Sequence, residues 1–199
     1  MYLTAKGIAM KMENRYHATR DDIVREEAEI EAARGNPAKF APLYDRYYER
    51  ILRFVYQRVE TKDDAYDITS QVFMAALENL SKYKSQGVPF SAWLFRIAIN
   101  ELNRFYRKSN VRLAVSIDDT QVSDVLHEMG EERSDVTDKR LMQALQQLNP
   151  EEMQLLEMRF FEKIPFKELC EILNISETAA KARVYRLLER LKSIYTSLQ

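Results

Sequence analysis

Apolar residues recur along this chain at intervals of three and four, the spacing of helices that bury one side. After Asn36 the series runs Phe40, Leu43, Tyr44, Tyr47, Ile51, Phe54 and Val55; a second runs Ala65, Ile68, Val72, Phe73, Ala76 and Leu77. The punctuation agrees. Asn36 is a helix cap followed by Pro37 at the first helical position. Asp63 and Asp64 fall in the first turn of a helix predicted from Lys62 to about Leu80, where unpaired backbone N–H groups favour anions. Upstream, "DDIVREEAEIEAARGNP" predicts a short acidic helix with Gly35 as its left-handed stop. "SKYKSQGVP" reads as a loop.

The next helix, "SAWLFRIAINELNRFYRK" (91–108), carries an oddity. Phe95, Ala98, Ile99, Leu102 and Tyr106 share one stripe, while Arg96, Asn100, Asn103, Arg104 and Arg107 share the opposite face. Trp93, the single tryptophan of the chain, projects among those cations. Cations that track phosphates beside a ring on which bases stack are the elements of a single-strand binding surface, at roughly 1–3 kcal/mol per stacked base. The same ring could act as a wedge between unstacking base pairs. Tyr83 and Phe90 could line a pocket for an extruded base. The plainer reading is that Trp93 folds back onto the preceding loop and closes the core.

Beyond Asp138 four short helices are predicted. Lys139–Leu148 is amphipathic, and "NPEEMQLLEMRFFEK" opens with Asn149 as cap, Pro150 at the first position and two acids behind it. "PFKELCEIL" and "SETAAKARVYRLLERLKSIY" are separated by "NIS", the short turn of a helix-turn-helix. Cys170 is small where the two helices must approach. Asn174 tolerates the left-handed backbone the turn requires, and Ile175 can plug the space between helices. On the last helix Ala180, Val184, Leu187, Leu191 and Ile194 make the buried stripe. Thr178, Lys181, Ala182 and Tyr185 face outward near its start, where such a helix meets base edges; Arg186 lies at the margin and suits a phosphate. Arg183 points closer to the core. An αα-hairpin with a solvated charged face would show the same periodicity.

Composition narrows the class. Only four Gly and five Pro occur in 199 residues, which favours helix throughout. No apolar run reaches the roughly 18 residues of a membrane span, so no membrane insertion is expected. The N-terminus lacks a signal core, and one cysteine suits a reducing cytoplasm, so a cytoplasmic location is expected. His17 and His127 have no second ligand at metal spacing, and no cofactor is implied. The net charge of −1 conceals segregation: residues 118–138 hold Asp118, Asp119, Asp124, Glu128, Glu131, Glu132, Asp135 and Asp138 against Arg133 alone. That segment is −7, and the remainder is +6. Local fields therefore permit a polyanion partner. The expected organisation is all-α, with two small helical domains joined by an acidic linker. Residues 1–20 form a mobile extension, 21–108 a helical bundle, 109–137 the linker and 138–199 the helix-turn-helix domain. "LAVSID" (113–118) is compatible with a short strand.

Both halves resemble one family. "FAPLYDRYYERILRFVYQRV", "DDAYDITSQVFMAALENL" and "VPFSAWLFRIAINELNRFYRK" resemble the sigma-2 domain of RNA polymerase sigma factors of the extracytoplasmic-function type. The segment from "LNPEEMQLLEMRFFEK" to "RVYRLLERL" resembles their sigma-4 domain. A lone helix-turn-helix would equally suit an ordinary operator-binding regulator, but that leaves residues 62–108 unexplained. No nucleophile set, metal triad or phosphate loop supports an enzyme. The resemblance implies a factor without bond chemistry of its own, which joins core RNA polymerase and directs initiation at promoters. Asp64, Asp67, Ser70 and Gln71 would meet the clamp helices of the beta-prime subunit. Tyr83, Trp93, Arg96, Asn100 and Arg104 would recognise and melt the minus-ten element. Thr178, Lys181, Ala182, Tyr185 and Arg186 would read the minus-thirty-five element, with the sigma-4 domain leaning on the beta flap. The acidic linker would thread near the RNA exit path, and an anti-sigma factor is an expected partner. Thr178 and Ala180 stand where relatives often have Gly and Val, and Tyr66 where an acid is more usual, so a promoter sequence cannot be copied from relatives.

Overall fold

The computed structural model describes residues 19–109, 119–132 and 134–198, and these contain helices and turns but no strand. Of the extension expected over residues 1–20, Thr19 and Arg20 instead open the first helix, and residues 1–18 and the "LAVSID" segment lie outside the described residues. The chain divides into two compact units, Met1–Ala114 and Val115–Gln199.

In the first unit α1 (Arg20–Gly35) opens with a capping box in which Thr19 and Asp22 satisfy each other's backbone N–H groups. It ends differently from expectation. Gly35 is the last helical residue rather than a left-handed stop, because Asn36 is extended (φ −151°) and closes back on Ala33 through its own N–H. The Asn36 side chain then accepts from the Ala38 N–H at 3.1 Å and starts the 3-10 turn Pro37–Phe40, which leads into α2 (Ala41–Tyr56). Thr61 caps α3 (Lys62–Asn79), and a further 3-10 turn, Leu80–Lys82, precedes the loop to α4 (Phe90–Ser109). Leu43, Ile51, Phe54 and Val55 of α2, Ala65, Val72 and Ala76 of α3, and Leu94, Phe95 and Ala98 of α4 form the core. Packing lets a charge inside as well. Arg58, beyond the end of α2, is buried with its guanidinium 3.5 Å from the centre of the Phe54 ring, while the Tyr106 hydroxyl donates to the Arg58 carbonyl at 2.6 Å.

The second unit begins inside the segment expected to be linker. Asp119–Met129 is a helix, α5, with Val122, Val125, Leu126 and Met129 buried. Those four positions have the three-and-four spacing of a core-facing stripe, which a count of charges in this acidic stretch obscures. Gly130 adopts φ +75° and ends α5, with its N–H on His127 and that of Glu131 on Leu126, the paired pattern of a left-handed helix stop. Two cations hold α5 to the rest of the unit: Lys163 pairs with Asp124 at 3.3 Å, and Lys192 donates to the Met129 carbonyl at 3.0 Å. Then follow α6 (Asp135–Leu145), α7 (Pro150–Leu156) with the π turn Glu157–Phe161 continuing it, α8 (Phe166–Leu173) and α9 (Glu177–Ser197). Asn149 caps α7 as expected and forms a full capping box with Glu152. The stripe of α9 ends on Tyr195, fully buried, whereas Ile194 is only half-buried.

If α5 is part of this core, Leu126→Ala should destabilise the second unit by about 2–4 kcal/mol through the cavity it leaves. Denaturant unfolding measures this; an unchanged midpoint would return the segment to a linker.

Candidate nucleic-acid interface

In the first unit the surface is built around the loop between α3 and α4. The buried stripe of α4 matches the periodicity, and Arg96, Asn100, Asn103, Arg104 and Arg107 are all exposed along the other face. Glu101, buried, pairs with Arg104 at 3.1 Å. Trp93 is half-buried, neither free in solvent nor part of the core. Its ring lies 4.8 Å from Tyr83 and 5.4 Å from Phe90, and those two meet edge to face at 5.2 Å. Tyr83 itself is 8 % exposed. It forms the floor on which Trp93 rests rather than a surface of its own. The plainer sequence expectation, that Trp93 folds toward the loop, thus holds for the side of the ring that meets Tyr83 and Phe90, while part of Trp93 stays accessible.

Three side chains of α1, none singled out by periodicity, hold this loop. The Glu26 carboxylate is buried and accepts from the Phe90 N–H at 2.9 Å, from the Tyr47 hydroxyl and from Arg46 at 3.3 Å. Burial and the adjacent Glu26 push the Tyr47 phenol up, so it remains a donor. Arg34 donates to the Leu80 carbonyl at 3.2 Å and to the Tyr83 carbonyl. Ser85 donates to Glu27.

On α3, Asp67, Ser70 and Gln71 are exposed, opposite the buried Ile68 and Val72. Asp64 is half-buried and accepts from the Thr61 hydroxyl at 2.6 Å, so its carboxylate is already engaged in the helix cap. Tyr66 and Met74 flank Ser70 at four-residue spacing and are about half exposed or more, 49 % and 61 %. They add apolar area to a face that the sequence marked only by its polar residues.

In the second unit α8 and α9 form the helix-turn-helix. Asn174 sits at φ 53°, ψ 49°. Its N–H reaches Glu171 and that of Ile175 reaches Cys170, which satisfies the last carbonyls of α8. Ser176 caps α9 through the Ala179 N–H at 3.2 Å. Thr178, Lys181, Ala182, Tyr185 and Arg186 are all exposed on α9, Tyr185 at 58 %. Arg183 is exposed as well, not turned toward the core. Lys181 pairs with Glu177 at 2.7 Å, and that carboxylate raises its ammonium above the usual value. Arg186 lies back along its own helix, donating to the Ala182 carbonyl. Phe166, at the start of α8, forms a platform that periodicity could not reveal: Arg159 lies 4.7 Å from its ring centre, Lys181 5.7 Å, and the Tyr185 ring 6.4 Å. The single thiol, Cys170, is half-buried and pushed up by burial and by Glu171 and Glu177. Among the described residues no group of His, Cys, Asp and Glu could hold a metal ion, and no helix is long and apolar enough to cross a membrane.

Both units match models of one protein family. The family model described as Sigma-70 region 2 matches residues 43–112, and that described as Sigma-70, region 4 matches residues 138–191. A curated relative, the ECF RNA polymerase sigma factor BldN of Streptomyces coelicolor, is 29 % identical over 80 % of this chain. The chain belongs to the sigma-70 family, in its extracytoplasmic-function (ECF) branch. The match spans 61 % of BldN; the ECF sigma factor SigM of Bacillus subtilis is 26 % identical over 77 % of this sigma factor and 93 % of its own length. Two solved structures share the fold. CnrH in complex with the cytosolic domain of CnrY has a TM-score of 0.55 at 20 % identity, covering 85 % of this chain and 95 % of that one. RpoE of Bartonella quintana in complex with the anti-sigma factor NepR has 0.53 at 19 %, covering 79 % and 96 %. Members of the family are not enzymes; they direct promoter recognition and initiation.

The strain at Asn174 gives a direct check on the turn. Asn174→Val should cost about 1–2 kcal/mol, whereas Asn174→Gly should be neutral or slightly stabilising, as read by thermal unfolding.

Proposed function

We propose that this sigma factor binds core RNA polymerase, recognises promoter minus-thirty-five and minus-ten elements, assists melting and so directs transcription initiation. The observation that carries the reading is the presence, in one chain, of a floored tryptophan beside an exposed basic helix and a helix-turn-helix whose outward residues include Thr178, Lys181 and Tyr185. The first suits unpaired bases; the second suits the major groove of intact duplex.

In the first unit, Trp93 would take a stacked base while Arg96, Asn100 and Arg104 follow the strand. Tyr83 would act by holding Trp93. The exposed strip of α3, with Asp67, Ser70 and Gln71 beside Tyr66 and Met74, would meet the clamp helices of the beta-prime subunit. Its mixture of apolar and polar groups is what a docking face needs, since affinity concentrates in desolvated aromatic and Met side chains. Asp64 would contribute through the helix cap it already completes.

In the second unit, Thr178, Lys181, Ala182 and Tyr185 of α9 would face base edges and Arg186 a phosphate, with the beta flap as protein partner. An anti-sigma factor is a further partner on this reading; both solved relatives above were captured with a second protein, in one case named as an anti-sigma factor. The action belongs where promoters and polymerase are, in the cytoplasm. Each interface is too small to hold promoter tightly by itself, so tethering through polymerase supplies effective concentration.

Trp93→Ala should lose about 1–3 kcal/mol of strand capture. Permanganate reactivity of promoter thymines should therefore fall while closed-complex binding is retained, and unchanged reactivity removes the melting role. Lys181→Ala should weaken binding to promoters through the minus-thirty-five element, seen by competition against a template with that element scrambled. Co-elution with core polymerase in gel filtration separates this reading from an operator-binding dimer, which would ignore polymerase.

A further inference from the structure

The loop that carries Tyr83 and leads to Trp93 is held at both ends by α1, a helix outside the family match, which begins at residue 43. At one end lies the terminus of α3 and its 3-10 turn, whose last carbonyls are the negative pole of the helix. Arg34 meets that pole, donating to the carbonyls of Leu80 and Tyr83. At the other end is the N-terminus of α4, the positive pole. Glu26 meets that one, accepting from the Phe90 N–H at 2.9 Å. The two side chains are eight residues apart on one helix, which fixes their backbone positions about 12 Å apart. Midway along the loop, Ser85 is tied to Glu27 of the same helix.

We infer that α1 is a two-pole brace for the minus-ten surface, with Glu26 and Arg34 as positioning residues that set the Tyr83–Phe90–Trp93 ring cluster for strand capture. The inference rests on the melting role proposed above. A free loop of this length would leave the relative placement of Tyr83 and Phe90 open. Pinning both ends to one rigid helix holds their rings 5.2 Å apart and gives Trp93 a floor before any base arrives. A preorganised floor removes the ordering cost from the capture step. Neither side chain touches the strand in this arrangement; each acts through the backbone of the loop it holds. The brace depends on charge at helix ends as well as on hydrogen bonds, so Lys at 34 keeps the cation but loses the fork that reaches two carbonyls.

The test uses the full chain, in which Trp93 is the only tryptophan, alone and in holoenzyme. Arg34→Ala and Arg34→Met should shift Trp93 emission to the red and raise its quenching by acrylamide. In holoenzyme they should lower permanganate reactivity of promoter thymines about fivefold or more, the effect of weakening one stacked base, with closed-complex binding within about twofold. Arg34→Lys should recover part of both signals. Glu26→Gln keeps an acceptor for Phe90 without the charge and should fall between parent and Arg34→Ala. Should Arg34→Ala fail to fold by circular dichroism, the Arg34→Lys and Glu26→Gln pair decides, since both keep a hydrogen-bonding group in place. A folded variant with unchanged emission and unchanged opening overturns the brace, and so does shifted emission with normal opening. Normal opening by Trp93→Ala instead overturns the melting role itself, a result that involves no residue of α1.

Discussion

One carboxylate that is almost wholly out of water ties the first unit together. Burying an ionised Glu costs several kcal/mol unless its oxygens are matched by donors. Glu26 is matched from three directions: the Tyr47 hydroxyl and the Arg46 guanidinium on α2, and the backbone N–H of Phe90 where α4 begins. Those donors belong to elements far apart in sequence, and they converge only if α1, α2 and α4 adopt a single arrangement. The interaction therefore contributes less as net stability than as a penalty on every other packing. Arg46 is further held by Glu29 at 2.8 Å, so the cation facing Glu26 is itself anchored to α1.

That constraint explains the apolar ring on a basic helix face. α4 could bury Phe95, Ala98 and Leu102 with many placements of the preceding loop, because the stripe alone says nothing about what lies before Phe90. Once the N–H of Phe90 is fixed, Phe90 is directed inward at 1 % exposure and Tyr83 closes over it. Trp93, one turn along, then has a ring surface to lean on, and aromatic pairs of this kind contribute about 0.5–1.5 kcal/mol beyond their buried area. Trp93 is thus supported by two rings, Tyr83 and Phe90, while staying half-buried.

Much of this was legible from spacing. The stripes of α2, α3 and α4 follow their periodicity apart from the exposed Tyr44 and the half-buried Leu77 and Tyr106, Asn149 and Ser176 cap as their residue types suggest, and Asn174 takes the left-handed turn of the helix-turn-helix. The failures have distinct causes. Residues 119–129 lie inside the stretch 118–138, whose net charge of −7 masked a stripe of Val122, Val125, Leu126 and Met129 that only the packed unit rewards. Glu26 was invisible because α1 has almost no one-sided hydrophobicity, and an acid there reads as solvated until a donor from residue 90 arrives. Phe166 escaped for a related reason. Its partners Arg159, Lys181 and Tyr185 come from two other segments, and no local window contains them all. Long-range polar and ring contacts build the candidate surfaces, while periodicity reports only which side of a helix is dry.

The same pairing of charges bears on how a protein with a net charge of −1 could be selective for DNA. Lys181, at the centre of the proposed reading face, is held by Glu177; Lys163 is held by Asp124, and Arg104 by Glu101. Exposed pairs like the first are worth at most about 1 kcal/mol, so a phosphate in register can displace the carboxylate. A phosphate out of register gains little, because it must compete with an acid that is already covalently present. Non-specific affinity comes almost entirely from unpaired cations, and internal pairing suppresses that contribution first. What survives is the binding that adds base contacts or stacking to the exchange of one anion for another. Such a protein would be expected to hold promoter poorly alone and to gain its discrimination once polymerase brings the two surfaces to their elements together, which is the behaviour the proposed function requires.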